Sequence, residues 1–169
     1  MDRGELPLFL KKSLLCSKVA LQVSPRVVSV GYGGRRVAAF IECLAAEQVE
    51  VLVDVRLRAA SGIPGFSGQA LANALGKVGI EYRHAPSLGN PPENRAPFHD
   101  GSLAAGRRRF RSGLAEGGGR EELQKLAQTL GSRCVAILCA ERDQLRCHRH
   151  VVIDELKHLI PKLEVTVLD

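Results

Sequence analysis

A chain of 169 residues, 45% of them apolar, is long enough for one globular domain with a sizeable core. Its net charge of +6 and isoelectric point near 9.3 favour anionic partners, while the lack of Trp leaves little for a single-strand stacking platform. No apolar run approaches the ~18 residues of a membrane span, and five cysteines with neither a C-x-x-C pair nor a secretory leader read as reduced thiols of a cytoplasmic protein.

Residues 1–24 form an N-terminal extension, either an amphipathic helix over Leu6–Leu21 or a poorly ordered segment; residues 25–169 form the domain. Val27–Val30 reads as a strand ending at Gly31-Tyr32-Gly33-Gly34. Val37, Phe40, Ile41 and Leu44 then give helical spacing over 35–48. Val49–Val55 is a nearly unbroken apolar strand, the mark of a sheet covered on both faces. Ser67 is the expected N-cap of a second helix with the stripe Leu71, Ala74, Leu75 and Val78, stopped by Gly79. Ile80–His84 reads as a less apolar strand, nearer an edge. A long irregular stretch from about 89 to 120, rich in Pro and Gly, carries Arg107, Arg108, Arg109 and Arg111 on what is at most a short helix. Then come a helix at 121–130, a buried strand at Cys134–Leu138, a helix over 150–160 and a last strand at Glu164–Leu168. The alternation predicts a single α/β domain: a mainly parallel sheet of about five strands with helices on both faces and a basic loop insert.

In a parallel sheet the carboxyl ends of the strands converge, and that edge is where ligands bind. Gly31 and Tyr32 end the first strand, Asp54 and Arg56 the second, and Cys139, Glu141, Cys147, His148 and Arg149 follow the fourth. The expectation is that they line one concavity. Asp54 interrupts an apolar run, and Arg56 lies two residues on, on the same side, so the pair reads either as a salt bridge or as a ligand clamp. Arg149 shares the helical stripe of Ile153, Leu156 and Ile160, so it points inward to a carboxylate (Glu141 or Asp54) or to a bound anion. Cys139 reads as a small core residue or as a thiolate nucleophile. The phosphatase pattern Cys-x5-Arg fails by one residue at Arg146. A zinc site from Cys139, Cys147, His148 and His150 is set aside, because Cys147 and His148 are adjacent and His150 faces away. No metal and no cofactor are expected.

Val-Gly-Tyr-Gly-Gly-Arg at 30–35, Leu-Val-Asp-Val-Arg at 52–56, Pro-Gly-Phe-Ser at 64–67, Gly-Ile-Glu-Tyr at 79–82, Leu-Gly at 88–89, and Leu-Cys-Ala-Glu-Arg-Asp with Cys-His-Arg at 138–149 together resemble the domain of unknown function 488 family, from about Val27 to Ile160. The resemblance implies a small cytoplasmic α/β domain whose shared site is the strand-end cluster. The chain departs from that pattern at Leu57–Ser61, where such proteins commonly carry Pro-x-Ser, and at Asn90, where a second glycine is usual.

Three functions follow as expectations. The first is an enzyme acting on a phosphorylated or nucleotide-like substrate, with Gly31, Tyr32, Arg56, Cys147, His148 and Arg149 binding it and Asp54, Glu141 or Cys139 doing the chemistry. The second is a nucleic-acid-binding module gripping phosphates with Arg107, Arg108, Arg109 and Arg111, which could also close as a basic flap. The third is a thiol-based redox sensor using Cys139 and Cys147. The partner is an anionic small molecule or nucleic acid rather than a membrane, and the oligomeric state is left open.

Overall fold

A computed structural model describes residues 24–168; the N-terminal extension lies outside them. Five strands, β1 (Arg26–Gly31), β2 (Val51–Asp54), β3 (Glu81–His84), β4 (Val135–Cys139) and β5 (Glu164–Leu168), form one sheet in the order β3-β2-β4-β1-β5. Every pairing is parallel. β1, β2 and β4 are central and almost wholly buried, whereas β3 and β5 alternate partly exposed residues and close the edges. That matches their sequences: a strand covered on both faces needs apolar residues at every position, an edge strand does not.

Side-chain alternation splits the core into two layers. Val28, Val30, Leu52, Ala136 and Leu138 face α1 (Val37–Ala46) and α2 (Gly68–Gly76), joined by Phe40, Leu44, Phe66, Leu71 and Leu75. Val27, Val51, Val53, Val135, Ile137 and Cys139 face α3 (Leu103–Glu116), α4 (Gly119–Leu130) and α5 (Arg149–Leu159). Ser67 caps α2 as expected, accepting from the Ala70 amide at 3.3 Å. That helix stops at Gly76, however, so Val78 leaves the apolar stripe and is 52% exposed.

The segment 89–120 is not the irregular loop expected. Two short 3-10 turns, Pro92–Asn94 and Ala96–Phe98, lead into α3, which is 14 residues long. Gly106, Phe110 and Leu114 form its buried stripe at helical spacing. A Cβ on Gly106 would stand 2.9 Å from Pro97 Cβ and 3.1 Å from the Phe98 ring, so the glycine lets the helix lie against the preceding turn. Asn94 donates to Asn90 Oδ1 at 2.9 Å and to the Gly106 carbonyl at 3.0 Å, fastening the turns to the helix. The four arginines hide this stripe in the sequence, because a run of like charge reads as solvated chain. Among the described residues no helix is long and apolar enough to cross a membrane.

Candidate functional site

The registers Gly31↔Cys139 and Asp54↔Leu138 bring the carboxyl ends of β1, β2 and β4 level. A cavity of about 210 Å³ opens there, lined among others by Tyr32, Arg56, Cys139, Glu141, Cys147 and His148. Gly31, Asp54 and Arg149 stand behind its wall instead of in it. Each of these three has a physical reason.

Asp54 is fully buried on the α1/α2 side of the sheet. Its Oδ1 accepts from the Arg56 amide at 3.1 Å and from Arg56 Nε at 2.8 Å, and its Oδ2 from Arg56 Nη2 at 2.5 Å and Tyr82 Oη at 2.7 Å. Arg56 Nη1 in turn donates to the Phe66 carbonyl at 2.9 Å and to Tyr32 Oη at 3.2 Å. Tyr32 stacks on Phe66, ring centroids 4.5 Å apart. The buried Tyr82 hydroxyl, close to the Asp54 charge, is held above its usual titration range. Both lone-pair sets of the carboxylate are spent inside the protein, as in a salt bridge that organises the strand end, and Arg56 reaches the cavity as part of its wall.

Arg149 is fully buried, and its partners within the protein are not carboxylates. Nη1 donates to the Glu141 carbonyl at 2.6 Å, Nη2 to the Arg142 carbonyl at 3.2 Å, and Nε to Ser29 Oγ at 3.2 Å. The guanidinium fork therefore clamps the loop after β4 onto β1. Gly31 serves the same packing. A Cβ there would lie only 2.0 Å from the Glu141 carbonyl oxygen, so the space a ligand was expected to use is filled by the protein's own backbone.

Cys139, Cys147 and His148 come together on the α3–α5 side, with their ligand-capable atoms all within 4.8 Å of one another. His148 Nδ1 lies 3.8 Å from Cys139 Sγ and 3.7 Å from Cys147 Sγ. Its Nε2 lies 2.9 Å from the Val55 carbonyl, and its ring packs edge-on against Phe110, 5.3 Å between centroids. The Cys139 thiol is held well below its ordinary range, first by a hydrogen bond from Cys147 and then, against burial, by the positive charge of His148 and Arg149. Burial and the neighbouring Cys139 push Cys147 the opposite way, so this thiol keeps the shared proton. His150 turns away to Asp154, 3.4 Å off.

Above this floor the rim carries Arg58, Arg95 and Arg146, all exposed and in no ion pair among the described residues, with His99 and Glu141. Of the three, Arg95 was counted from the sequence only within the basic insert and Arg146 only in the failed phosphatase pattern; Arg58 was not singled out. Arg95 sits in a turn of the supposed loop, and Arg146 one residue before Cys147, which is the nearest thing to a signal. The α3 arginines divide differently. Arg107 donates to the Leu145 carbonyl at 2.6 Å and Arg111 to Glu155 at 2.5 Å, leaving Arg108 and Arg109 exposed.

Comparison with known proteins adds one finding. No curated protein and no solved structure matches the chain. A family model described as "Domain of unknown function DUF488" matches residues 36–156, from the start of α1 into α5, including Asp54, the insert and the Cys139–Arg149 segment. The chain belongs to the DUF488 family.

Proposed function

We propose that the protein is an enzyme acting on a phosphorylated, nucleotide-like anionic substrate at the carboxyl edge of its sheet. The observation that carries this reading is the unpaired charge of the rim: Arg58, Arg95 and Arg146 line one cavity in which, among the described residues, Glu141 is the only acidic residue. The two buried arginines have their donors taken up inside the protein, Arg56 by Asp54 and Arg149 by two backbone carbonyls and Ser29; these three have no such partner among the described residues, and an anion is what guanidinium groups around one concavity select. A cavity of about 210 Å³ takes a phosphoryl group and part of what it is attached to, and leaves the remainder of a larger substrate outside. The reactive floor is the Cys139–Cys147–His148 cluster, and Glu141 is the carboxylate left free for proton transfer.

The test is a thermal-shift and calorimetric panel of inorganic phosphate, nucleoside mono-, di- and triphosphates and sugar phosphates at low salt. It is run on the parent and on a variant carrying Arg58→Gln, Arg95→Gln and Arg146→Gln. Because all three side chains are exposed, the variant should keep its stability within about 0.5 kcal/mol and lose phosphate-dependent stabilisation. A parent that no phosphate stabilises, or a variant that binds as the parent does, refutes the reading.

A further inference from the structure

We infer that Cys139, Cys147 and His148 form a binding site for one soft divalent metal ion, zinc by the chemistry of its ligands, with the fourth coordination position open to the arginine-rimmed cavity. The inference goes beyond the anion-pocket reading and does not depend on it, since metal content and phosphate binding are measured separately.

The first argument is geometric. Two sulfurs and a nitrogen around tetrahedral zinc, with Zn–S near 2.3 Å and Zn–N near 2.0 Å, stand about 3.6 Å apart along each S–N edge. Here the two S–N separations are 3.8 and 3.7 Å. If the imidazole were only a hydrogen-bond partner, its single Nδ1 proton would draw it toward one sulfur. Instead Nδ1 is placed almost equally from both, the arrangement of ligands about a shared centre.

The second argument is the state of the imidazole. Nε2 lies 2.9 Å from the Val55 carbonyl, which can only accept, so Nε2 carries a proton, and it is Nδ1, facing both sulfurs, that would give up its proton to a metal. A backbone carbonyl fixing the far nitrogen is how metal-bound histidines are oriented, and Phe110 holds the ring plane from the side. Cys147 Sγ also accepts the Arg149 backbone amide at 3.5 Å, as ligating thiolates at a helix start do. A dication with two thiolates is neutral overall, so the site adds no net charge to a buried position beside Arg149.

The ligand count then sets the type. The three residues are buried yet all line the cavity. Among the described residues no further Cys, His, Asp or Glu joins the group. Three protein ligands with an open face make a site of the kind that binds and acidifies a water, not a closed structural one. Adjacency of Cys147 and His148, which argued against a metal in the sequence, is resolved by the backbone. Cys147 is extended (φ −126°, ψ 147°) and His148 is already helical (φ −62°, ψ −19°), and with that change of conformation both side chains turn to Cys139.

The experiment uses the full chain, purified under reducing conditions without chelator. Elemental analysis should find zinc near one equivalent per chain. After chelator treatment, titration with cobalt(II) should give a near-ultraviolet thiolate-to-cobalt charge-transfer band and intense tetrahedral d–d bands, saturating at one equivalent and abolished by zinc. Cys139→Ser and Cys147→Ser should each weaken cobalt binding by at least ~100-fold. Cys43→Ser and Cys134→Ser, the half-buried cysteines outside the site, should leave it unchanged. Because serine at a buried position can also disturb folding, circular dichroism accompanies each variant, and His148→Gln, which keeps both sulfurs, should retain a charge-transfer band with weakened affinity. Folded, reduced protein that gives no charge-transfer band overturns the inference, as does a band undiminished in both site variants. Metal-free protein found with a Cys139–Cys147 disulfide, which cobalt does not occupy after reduction, overturns it too. The Arg58, Arg95 and Arg146 variant should bind cobalt normally, so a failed phosphate screen leaves this result standing.

Discussion

Two polar clusters end neighbouring strands of the same sheet, and they are built on opposite principles. On the α1/α2 face, Asp54, Arg56, Tyr82 and Tyr32 form a closed set in which both carboxylate oxygens and the guanidinium fork find partners between 2.5 and 3.2 Å. On the α3–α5 face, Cys139, Cys147 and His148 meet only through sulfur contacts of 3.7 and 3.8 Å, with weak donors and acceptors. Buried charge is retained where it is fully paired, because an unpaired one costs several kcal/mol. A buried group left with only soft contacts is the one with capacity for something else. Two imidazoles hold consecutive peptides at the end of β2: His84 Nε2, from the edge strand β3, meets the Arg56 carbonyl at 2.8 Å, and His148 Nε2, from the sulfur cluster, the Val55 carbonyl at 2.9 Å.

The sharpest way to break this contrast is Asp54→Asn. The amide would keep one acceptor but turn an N–H toward Arg56, leaving a guanidinium that is only 6% exposed without its counter-charge. A loss of about 3–5 kcal/mol is expected, read by urea denaturation. A stable Asp54→Asn protein would mean that the closed cluster is not a structural anchor, and its two residues would return as candidates for a ligand.

Arg149→Met comes next. It removes three hydrogen bonds and strands the carbonyls of Glu141 and Arg142 with Ser29 Oγ. The expected cost is on the order of 3 kcal/mol, with no direct effect on anion binding, because Arg149 does not face the cavity. Unchanged stability with lost phosphate binding would restore the role its inward phase suggested, that of an anion holder.

How far the sequence could be read follows the same division. Asp54 and Arg56 were legible because a strand's period of two puts them on one side, and Cys139 because it ends a buried run. Helical phase correctly turned Arg149 inward, but could not name its partners, since backbone carbonyls carry no residue identity. His148 was named with the strand-end group, but its two sulfur partners depend on the change from extended Cys147 to helical His148, which helical phase alone does not carry. The parallel sheet and the edge position of β3 followed from apolar runs and alternation. The full length of α3, read only as a short helix at Arg107–Arg111, was missed where arginines occupy most of the helix around Phe110. The rim was missed because Arg58, Arg95 and Arg146 come from three separate connections that only the tertiary fold brings together.

A finer contrast lies in the thiols. In chelator-treated protein, Cys139 is held low by Cys147, His148 and Arg149, while burial pushes Cys134 up. The sign is fixed by this. A thiol lowered in the folded state stays ionised below its unfolded value of about 8.5, and its contribution to stability is lost only as pH falls through the folded value. Small neutral alkylating agents at about pH 7 should therefore modify Cys139 well before Cys134, and re-adding zinc should protect it. Peptide mapping reads the order. If Cys134 reacts first, or if the Cys139 rate climbs tenfold per pH unit up to about 8.5 as for a free thiol, the open cluster does not stabilise a thiolate.

The smallest effect is expected on α3, where the comparison extends from buried charge to surface charge. Arg107 is tied to the Leu145 carbonyl, and Arg111 to Glu155 and, at 3.6 Å, to Asp154; these two brace α3 against the loop that carries Arg146 and against α5. Only Arg108 and Arg109 remain exposed. Arg108→Gln with Arg109→Gln should therefore change stability by less than about 0.5 kcal/mol and leave phosphate binding in the cavity as it is. The same variant separates the enzyme reading from that of a nucleic-acid module. If α3 grips a phosphate backbone through these side chains, neutralising two contacts should reduce the slope of log affinity against log salt for duplex DNA by about 1.8. A variant that loses that slope while its phosphate pocket is intact would move the main ligand surface from the strand ends to the helix. One that changes neither leaves α3 as a packing helix, held to the core by Phe110 and Leu114, with Arg108 and Arg109 as solvated charge.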